Sequence, residues 1–202
     1  MFENNILGAV LAGGKSKRFG DDKSQFKLEG KLLIDYILSE IKDEFEEILV
    51  VSNNQINFDK SEKITLIEDH KKGLGPLGGV LSAMKWVKNN NKDYKWISTF
   101  PTDTPFFKRS ILQKFLQGIK FEESKLFFIK SNNTRHNIFG LWSIDLMEKL
   151  EEDLEIGERK VEMWANSIGV KVINIEFLNE DPFFNINTKE DFEKAKEKLK
   201  ND

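Results

Sequence analysis

The stretch Ile6-Leu7-Gly8-Ala9-Val10-Leu11-Ala12-Gly13-Gly14-Lys15-Ser16-Lys17-Arg18-Phe19-Gly20 sets the pattern for the whole chain. Its apolar half, Ile6 to Ala12, is too short for an ordinary helix and has no polar alternation. It therefore reads as a strand buried on both faces, as in a parallel sheet. The run breaks at Gly13-Gly14 into a polar, basic loop reaching about Lys23. Outward from there, Leu33, Ile34, Ile37, Leu38 and Ile41 repeat with helical spacing, and Ile48 to Val51 and Ile64 to Ile67 read as further buried strands. A glycine-rich loop, Gly73 to Gly79, precedes a helix carrying Val80, Leu81, Met84 and Val87. Trp96 to Phe100 is a fourth strand, ending in Pro101-Thr102-Asp103-Thr104-Pro105; Ile111, Leu112, Phe115 and Leu116 mark the next helix.

The second half is less regular. Leu126 to Lys130 and Ile138 to Trp142 read as strands around a polar turn, Ser131 to Arg135. Helices are expected over Ile144 to Leu154 and Glu158 to Ala165, and a strand over Val170 to Ile175. Thr188, with Asp191 three residues on, predicts a capped helix whose apolar face is Phe192, Ala195 and Leu199. Glu190 and Lys194 can pair across one turn on its wet side. Strands alternating with helices imply βαβ units, hence an α/β three-layer sandwich around a twisted, mostly parallel (mixed) sheet. The length of 202 residues fits one domain over residues 1–202. Ligands of such sheets bind at the carboxyl ends of the strands. Gly13 to Lys23 and Pro101 to Pro105 both follow strands directly, which places them on one edge as a single candidate site.

Composition excludes several chemistries. The chain has no cysteine, which removes disulfides, thiolate zinc sites, iron–sulfur clusters and cysteine nucleophiles. His70 and His136 lack zinc spacing, and no Gly-x-Ser-x-Gly elbow supports a serine hydrolase. The 39% hydrophobic residues, 17 of them Phe, argue against disorder, and a net charge of −3 gives no footprint for duplex nucleic acid. No apolar run approaches the ~18 residues of a membrane span. Met1 to Asn5 carries no positive region ahead of a hydrophobic one, so a soluble, cytoplasmic protein is expected.

Three phosphate-loop readings compete. Gly14-Lys15-Ser16 suggests a Walker A loop, but the position of its first glycine holds Ala9 and Gly8 lies inside the strand. Gly73-Leu74-Gly75-Pro76-Leu77-Gly78 matches the dinucleotide pattern literally, with Asp93 at the expected distance. It lies too far past the strand ending at Ile67, however, and Pro76 fits a helix start. In the third reading the Gly13-Gly14 backbone approaches a ligand and points N–H groups at phosphate oxygens, while Lys15, Lys17, Arg18 and Lys23 supply positive charge. Taken alone, the loop is equally a basic surface loop.

Leu11-Ala12-Gly13-Gly14-x-Ser-x-Arg18-Phe19-Gly20, followed by Asp22-Lys23, resembles the signature of sugar-nucleotide-type nucleotidyltransferases. Four further segments narrow the resemblance to the molybdenum cofactor guanylyltransferase family. They are Ile67-Glu68-Asp69, Gly75-Pro76-Leu77-Gly78-Gly79, Pro101-Thr102-Asp103-Thr104-Pro105 and Phe184-Asn185-Ile186-Asn187-Thr188. The motifs keep the family's order from Leu11 to Thr188. The resemblance implies a nucleotidyltransferase-type, Rossmann-like fold that joins GMP from GTP to the terminal phosphate of molybdopterin, releasing pyrophosphate. It implies Mg²⁺ as cofactor, held by Asp103, and GTP as co-substrate. The acceptor would be molybdopterin or the molybdenum cofactor, with transient contact to cofactor-insertion proteins and a monomeric enzyme. Asp103, Lys23 and Arg18 would be catalytic, Lys23 contacting nucleotide and Arg18 holding the leaving phosphates. Leu11, Ala12, Gly13, Gly14, Asp69, Gly78 and Asn187 would line the nucleotide site, Asp69 accepting from the guanine N1–H and amino group. Asp103 could equally cap the helix after Pro105, Asp69 could be a strand-end turn residue, and Asn187 could either orient the metal or phosphates or merely support the turn before Thr188.

Departures qualify the resemblance. The family's nucleotide-contacting asparagine after the second strand falls nearest Ser52, with Asn53 next to it, so the resemblance leaves that contact open between the two. Arg135-His136-Asn137 lacks the usual proline after histidine. With Gly157-Glu158-Arg159-Lys160 it would either meet the pterin's phosphate side or form surface turns. Two rival functions follow: cytidylyl or other small-molecule nucleotidyl transfer on the same fold, and a catalytically idle nucleotide-binding regulator. The presence of Asp103, Lys23 and Arg18 together speaks against the second.

Overall fold

A computed structural model describes residues 5–13, 26–58, 61–71, 73–177 and 181–201 of the chain. Nine strands and six α-helices are formed by these residues. β1 (Ile6–Leu11) sits inside a seven-stranded sheet of order β5-β4-β1-β6-β8-β7-β9. The other strands of that sheet are β4 (Ile48–Val51), β5 (Ile64–Ile67), β6 (Trp96–Pro101), β7 (Leu126–Ser131), β8 (Thr134–Ser143) and β9 (Lys171–Asn174). Parallel pairing joins β5, β4, β1 and β6, and also β7 and β9; β8 alone runs antiparallel to both its neighbours. The expected α/β class and mostly parallel, mixed sheet are thus realised.

Every residue of β1 is buried, because successive side chains enter opposite layers. Ile6 and Val10 join a core with Ile34, Ile37 and Ile41 of α1 (Leu33–Ile41) and Leu112 and Phe115 of α3 (Arg109–Gln117). Leu7, Ala9 and Leu11 join a second core beneath α2 (Gly75–Asn89), α4 (Met147–Glu155) and α5 (Val161–Ile168). The sheet is therefore covered on both faces. A third, smaller core packs α6 (Lys189–Asn201), through Ala195 and Phe192, onto Leu28 and Phe26 beside the hairpin β2 (Lys27–Leu28) and β3 (Lys31–Leu32). Among the described residues no helix is long and apolar enough to cross a membrane.

The structure differs from expectation at five places. The β2–β3 hairpin was not expected, since two-residue strands carry no periodic signal; its turn uses Glu29 and Gly30 at positive φ. β8 starts at Thr134, not Ile138, because Asn132 and Asn133 both adopt positive φ and close a two-residue turn. α2 begins at Gly75, inside the stretch expected to be loop. Gly78 and Gly79 lie within the helix, where side chains would crowd Leu74 and Leu11. Ile144–Leu146 forms a 3-10 turn ahead of α4, and α5 starts at Val161 because Glu158 turns its carboxylate onto the backbone N–H groups of Arg159 and Lys160.

Gly140 lies opposite Thr99 on β6 and Phe128 on β7. A Cβ there would land on the Phe128 ring and 3.0 Å from the Phe127 carbonyl oxygen. Gly140→Ala is expected to destabilise the fold by about 1–3 kcal/mol through overpacking. The check is the denaturant midpoint, which should fall with an unchanged slope.

Candidate active site

Register places the site. Ile67 pairs with Val51, Val51 with Leu11, and Leu11 with Pro101, so four parallel strands end in one row. Two more bonds extend the ladders, from Ala12 N to the Val51 carbonyl and from Ser52 N to the Ile67 carbonyl, both 2.9 Å. The segments beyond that row carry Gly13, Asn53, Asp69 and Asp103, which the fold brings to one edge. Gly14, Arg18 and Lys23, with Lys15, Lys17 and Asp22, lie outside the described residues.

On one side of the row Asp69 is the centre. Asn53 Nδ2 donates to its Oδ2 at 2.9 Å, and Ser82 Oγ of α2 lies 3.4 Å from its Oδ1. A Cβ on Gly13 would sit 3.5 Å from Oδ2, and one on Gly79 would sit 3.6 Å from Oδ1. The carboxylate is thus wedged between the strand-end loop and the first turns of α2. Burial pushes its pKa up, and the hydrogen bonds from Ser82 and Asn53 pull it partly back. The two residues that sequence left open separate here. Ser52 is buried and closes its own turn, its Oγ accepting from Asn54 N at 3.1 Å and donating to the Asn54 carbonyl at 3.2 Å. Asn53 reaches Asp69, and its buried Oδ1 finds no hydrogen-bond partner among the described residues. Gly78 faces Leu74, whose Cβ would lie 2.5 Å from an added Cβ; Gly79 instead borders Leu11 and Asp69. Gly79 and Ser82 were missed in the sequence, although Ser82 follows Gly78 at helical spacing.

On the other side Asp103 follows β6 and is partly buried, with Oδ1 withdrawn from solvent. Beside it the buried Thr104 Oγ1 has no hydrogen-bond partner among the described residues. Ile186 N donates to the Asp103 carbonyl at 2.8 Å, which ties the segment carrying Asn185 and Asn187 to this loop. Asn187 is exposed; its N–H and that of Thr188 both donate to Asp191 Oδ2, while Asp191 N donates to Thr188 Oγ1. The expected cap is therefore present, and it holds Asn187 at the start of α6. Upstream, Phe183 stacks on His136 with ring centroids 3.8 Å apart, and His136 Nε2 lies 2.6 Å from Ser131 Oγ. Burial lowers the His136 pKa, with Asp181 acting in the opposite sense.

The two arginines left open in the second half have protein partners. Arg135 donates to Asn137 Oδ1 and Asn166 Oδ1, both at 2.7 Å, joining β8 to α5. Arg159 donates to the Leu154 carbonyl at 2.7 Å, one of the last carbonyls of α4. Both guanidinium groups hold local structure in this arrangement.

A carboxyl with a raised pKa in the fold favours the folded state while protonated, and that contribution is lost as pH rises through the raised value. Asp69→Asn is therefore expected to raise the melting temperature at pH 7. The gain should shrink toward zero as pH falls below the ordinary carboxylate value of 3.8. Thermal melts across a pH series check it.

The sequence model of one family, described as the MobA-like NTP transferase domain, matches residues 8–168. The chain is 28% identical to a molybdenum cofactor guanylyltransferase of Nitrobacter hamburgensis, over 93% of this chain and 91% of that one. It is 30% identical to the molybdenum cofactor guanylyltransferase of Haemophilus influenzae, over 94% and 97%. Its fold superposes on the crystal structure of molybdopterin-guanine dinucleotide biosynthesis protein A from Archaeoglobus fulgidus with a TM-score of 0.76. That match has 22% identity and covers 97% of this chain and all of the other. With its strand ends aligned along one edge and the family match spanning most of its length, this chain belongs to the MobA-like NTP transferase family.

Proposed function

We propose that the protein transfers GMP from GTP to the terminal phosphate of molybdopterin, forming molybdopterin guanine dinucleotide and pyrophosphate. One observation carries the reading: the Gly13–Asn53–Asp69 cluster and the Asp103 loop lie along one row of strand ends, in a chain matching guanylyltransferases over nearly all its length. In the reaction an oxygen of the acceptor phosphate attacks the α-phosphorus. The bond from that phosphorus to the oxygen bridging the β-phosphate breaks, and pyrophosphate leaves. Both reactants are anionic, so the protein's work is charge neutralisation and in-line positioning.

The donor chemistry fits magnesium. Asp103 offers a hard oxygen, Thr104 adds a buried hydroxyl oxygen with no partner among the described residues, and Mg²⁺ is usually held by one or two carboxylates plus substrate phosphates. Among the described residues no group of three acidic or histidine side chains forms a cage, and binding of this kind needs none. When bound, the ion neutralises phosphate charge. Asp103 would hold it, with Asn187 orienting phosphates nearby. Lys23 and Arg18 draw the triphosphate in, and the backbone of Leu11, Ala12, Gly13 and Gly14 meets the nucleotide. Asp69 accepts from the guanine N1–H and 2-amino group, and Asn53 adds an acceptor beside it. The enzyme works as a cytoplasmic monomer that meets cofactor-insertion proteins transiently.

Incubation with molybdopterin, Mg²⁺ and either GTP or CTP tests the reading through pyrophosphate and dinucleotide product. Product with GTP is expected; product with CTP alone, or tight GTP binding with no product, would overturn it. Asp103→Asn is expected to lower turnover by roughly 10²–10³-fold, the range seen when one transition-state charge partner is removed. Its circular dichroism and melting curve should match the parent; wild-type turnover in this variant would sink the metal assignment.

A further inference from the structure

Ser82 lies in the interior of α2, where a buried serine has no local reason to be preferred. It is 5% exposed, among Leu81, Ala83 and Met84. Its hydroxyl nonetheless joins three segments. Oγ donates to the Gly78 carbonyl at 2.8 Å, accepts from His70 N at 2.8 Å, and lies 3.4 Å from Asp69 Oδ1. The hydroxyl has one proton and two acceptors that compete for it, the Gly78 carbonyl and the Asp69 carboxylate. The His70 bond fixes the backbone immediately after Asp69. Asn53 restrains the opposite oxygen, Oδ2.

We infer that Ser82 is a positioning residue for base selection: it fixes the Asp69 carboxylate, through Oδ1 and through the His70 backbone, at the angle that reads the guanine 2-amino group. The inference rests on the proposed role of Asp69. Ser82 touches no substrate in this account; it acts through Asp69. The groups hydrogen-bonded to the carboxylate, Ser82 from α2 and Asn53 from the β4 exit, are both neutral. Glu68 and His70 flank it in sequence, and no charged side chain among the described residues sets its ionisation. A carboxylate held only by neutral hydrogen bonds in a partly buried place is sensitive to the loss of either one.

The test compares GTP with ITP, which keeps N1–H and lacks the 2-amino group, as donors to molybdopterin. The readout is the ratio of their kcat/KM values. Ser82→Ala is expected to lower the GTP:ITP ratio about fivefold, the equivalent of one neutral hydrogen bond. The larger loss should come through the KM for GTP, with a smaller one for ITP, which keeps only the N1–H contact. Ser82→Thr keeps the hydroxyl and should restore the ratio. Ser82→Cys keeps the volume with a weak donor and should follow the alanine variant, which guards against poor folding of either one. An equal loss with GTP and ITP would mean a purely structural serine and overturn the inference, as would an unchanged ratio. Asp69→Asn separates the two layers. If it leaves the GTP:ITP ratio at the parent value, the base-reading role of Asp69 fails and the inference falls with it. If it flattens the ratio while Ser82→Ala does not lower it, only the inference fails.

Discussion

The register of four parallel strands is the constraint on which everything else depends. Ile67, Val51, Leu11 and Pro101 end level because each strand is hydrogen-bonded to its neighbour without a slip. A one-residue slip would turn every side chain to the opposite face. Leu11 would then leave the core under α2, and Val10 the core under α1. Hydrophobic burial on two faces thus fixes, to within one residue, where the polar segments begin. The chemistry inherits its geometry from packing that has no chemical role.

At that edge the fold accepts unfavourable local terms. Asp69 is a carboxyl partly removed from water, and Asn53 and Thr104 keep polar atoms buried without partners among the described residues. Each costs free energy in an isolated fold. The glycines nearby have the matching steric logic: Gly79 clears space against Leu11 and Asp69 so that α2 can approach the strand ends. An enzyme that binds a polyanion and a polar base must hold donors and acceptors ready before the ligand arrives, and such sites sit at the strained end of the stability range.

The sheet and its two faces were legible because they follow from apolar periodicity, as the run from Ile6 to Ala12 illustrates. The place of Asp103 just past β6 was legible because Pro101 and Pro105 mark out a short polar interruption directly after a strand. The capped start of α6 at Thr188 was legible for the same kind of local reason. What escaped depends on tertiary contact. The β2–β3 hairpin is held by α6 and has too few residues for a pattern of its own. Ser82 reads as an ordinary helical residue until the loop after β5 folds over it. The choice between Ser52 and Asn53 is likewise set by which side chain faces Asp69, a distance of 16 residues along the chain. In one dimension Arg135 and Arg159 stay open between the pterin's phosphate side and surface turns; in three, they bond to Asn137, Asn166 and the end of α4.

β8 is the one reversed strand of the sheet, and this splits the freedom of the two sides of the edge. On one side of the edge the parallel strands β1, β4 and β6 are joined through long connections, β4 being reached through α1 and β6 through α2, so a change in loop length there is felt by a whole crossover. The other side ends in the Asn132-Asn133 turn, which joins adjacent antiparallel strands directly. Residues inserted at that tip leave every register in the sheet as it is. The wall beside His136 can therefore diverge in length and chemistry while the parallel strand ends stay constant. A lineage built on this plan can reshape one wall of the edge by altering a hairpin, without rewiring the parallel half of the sheet.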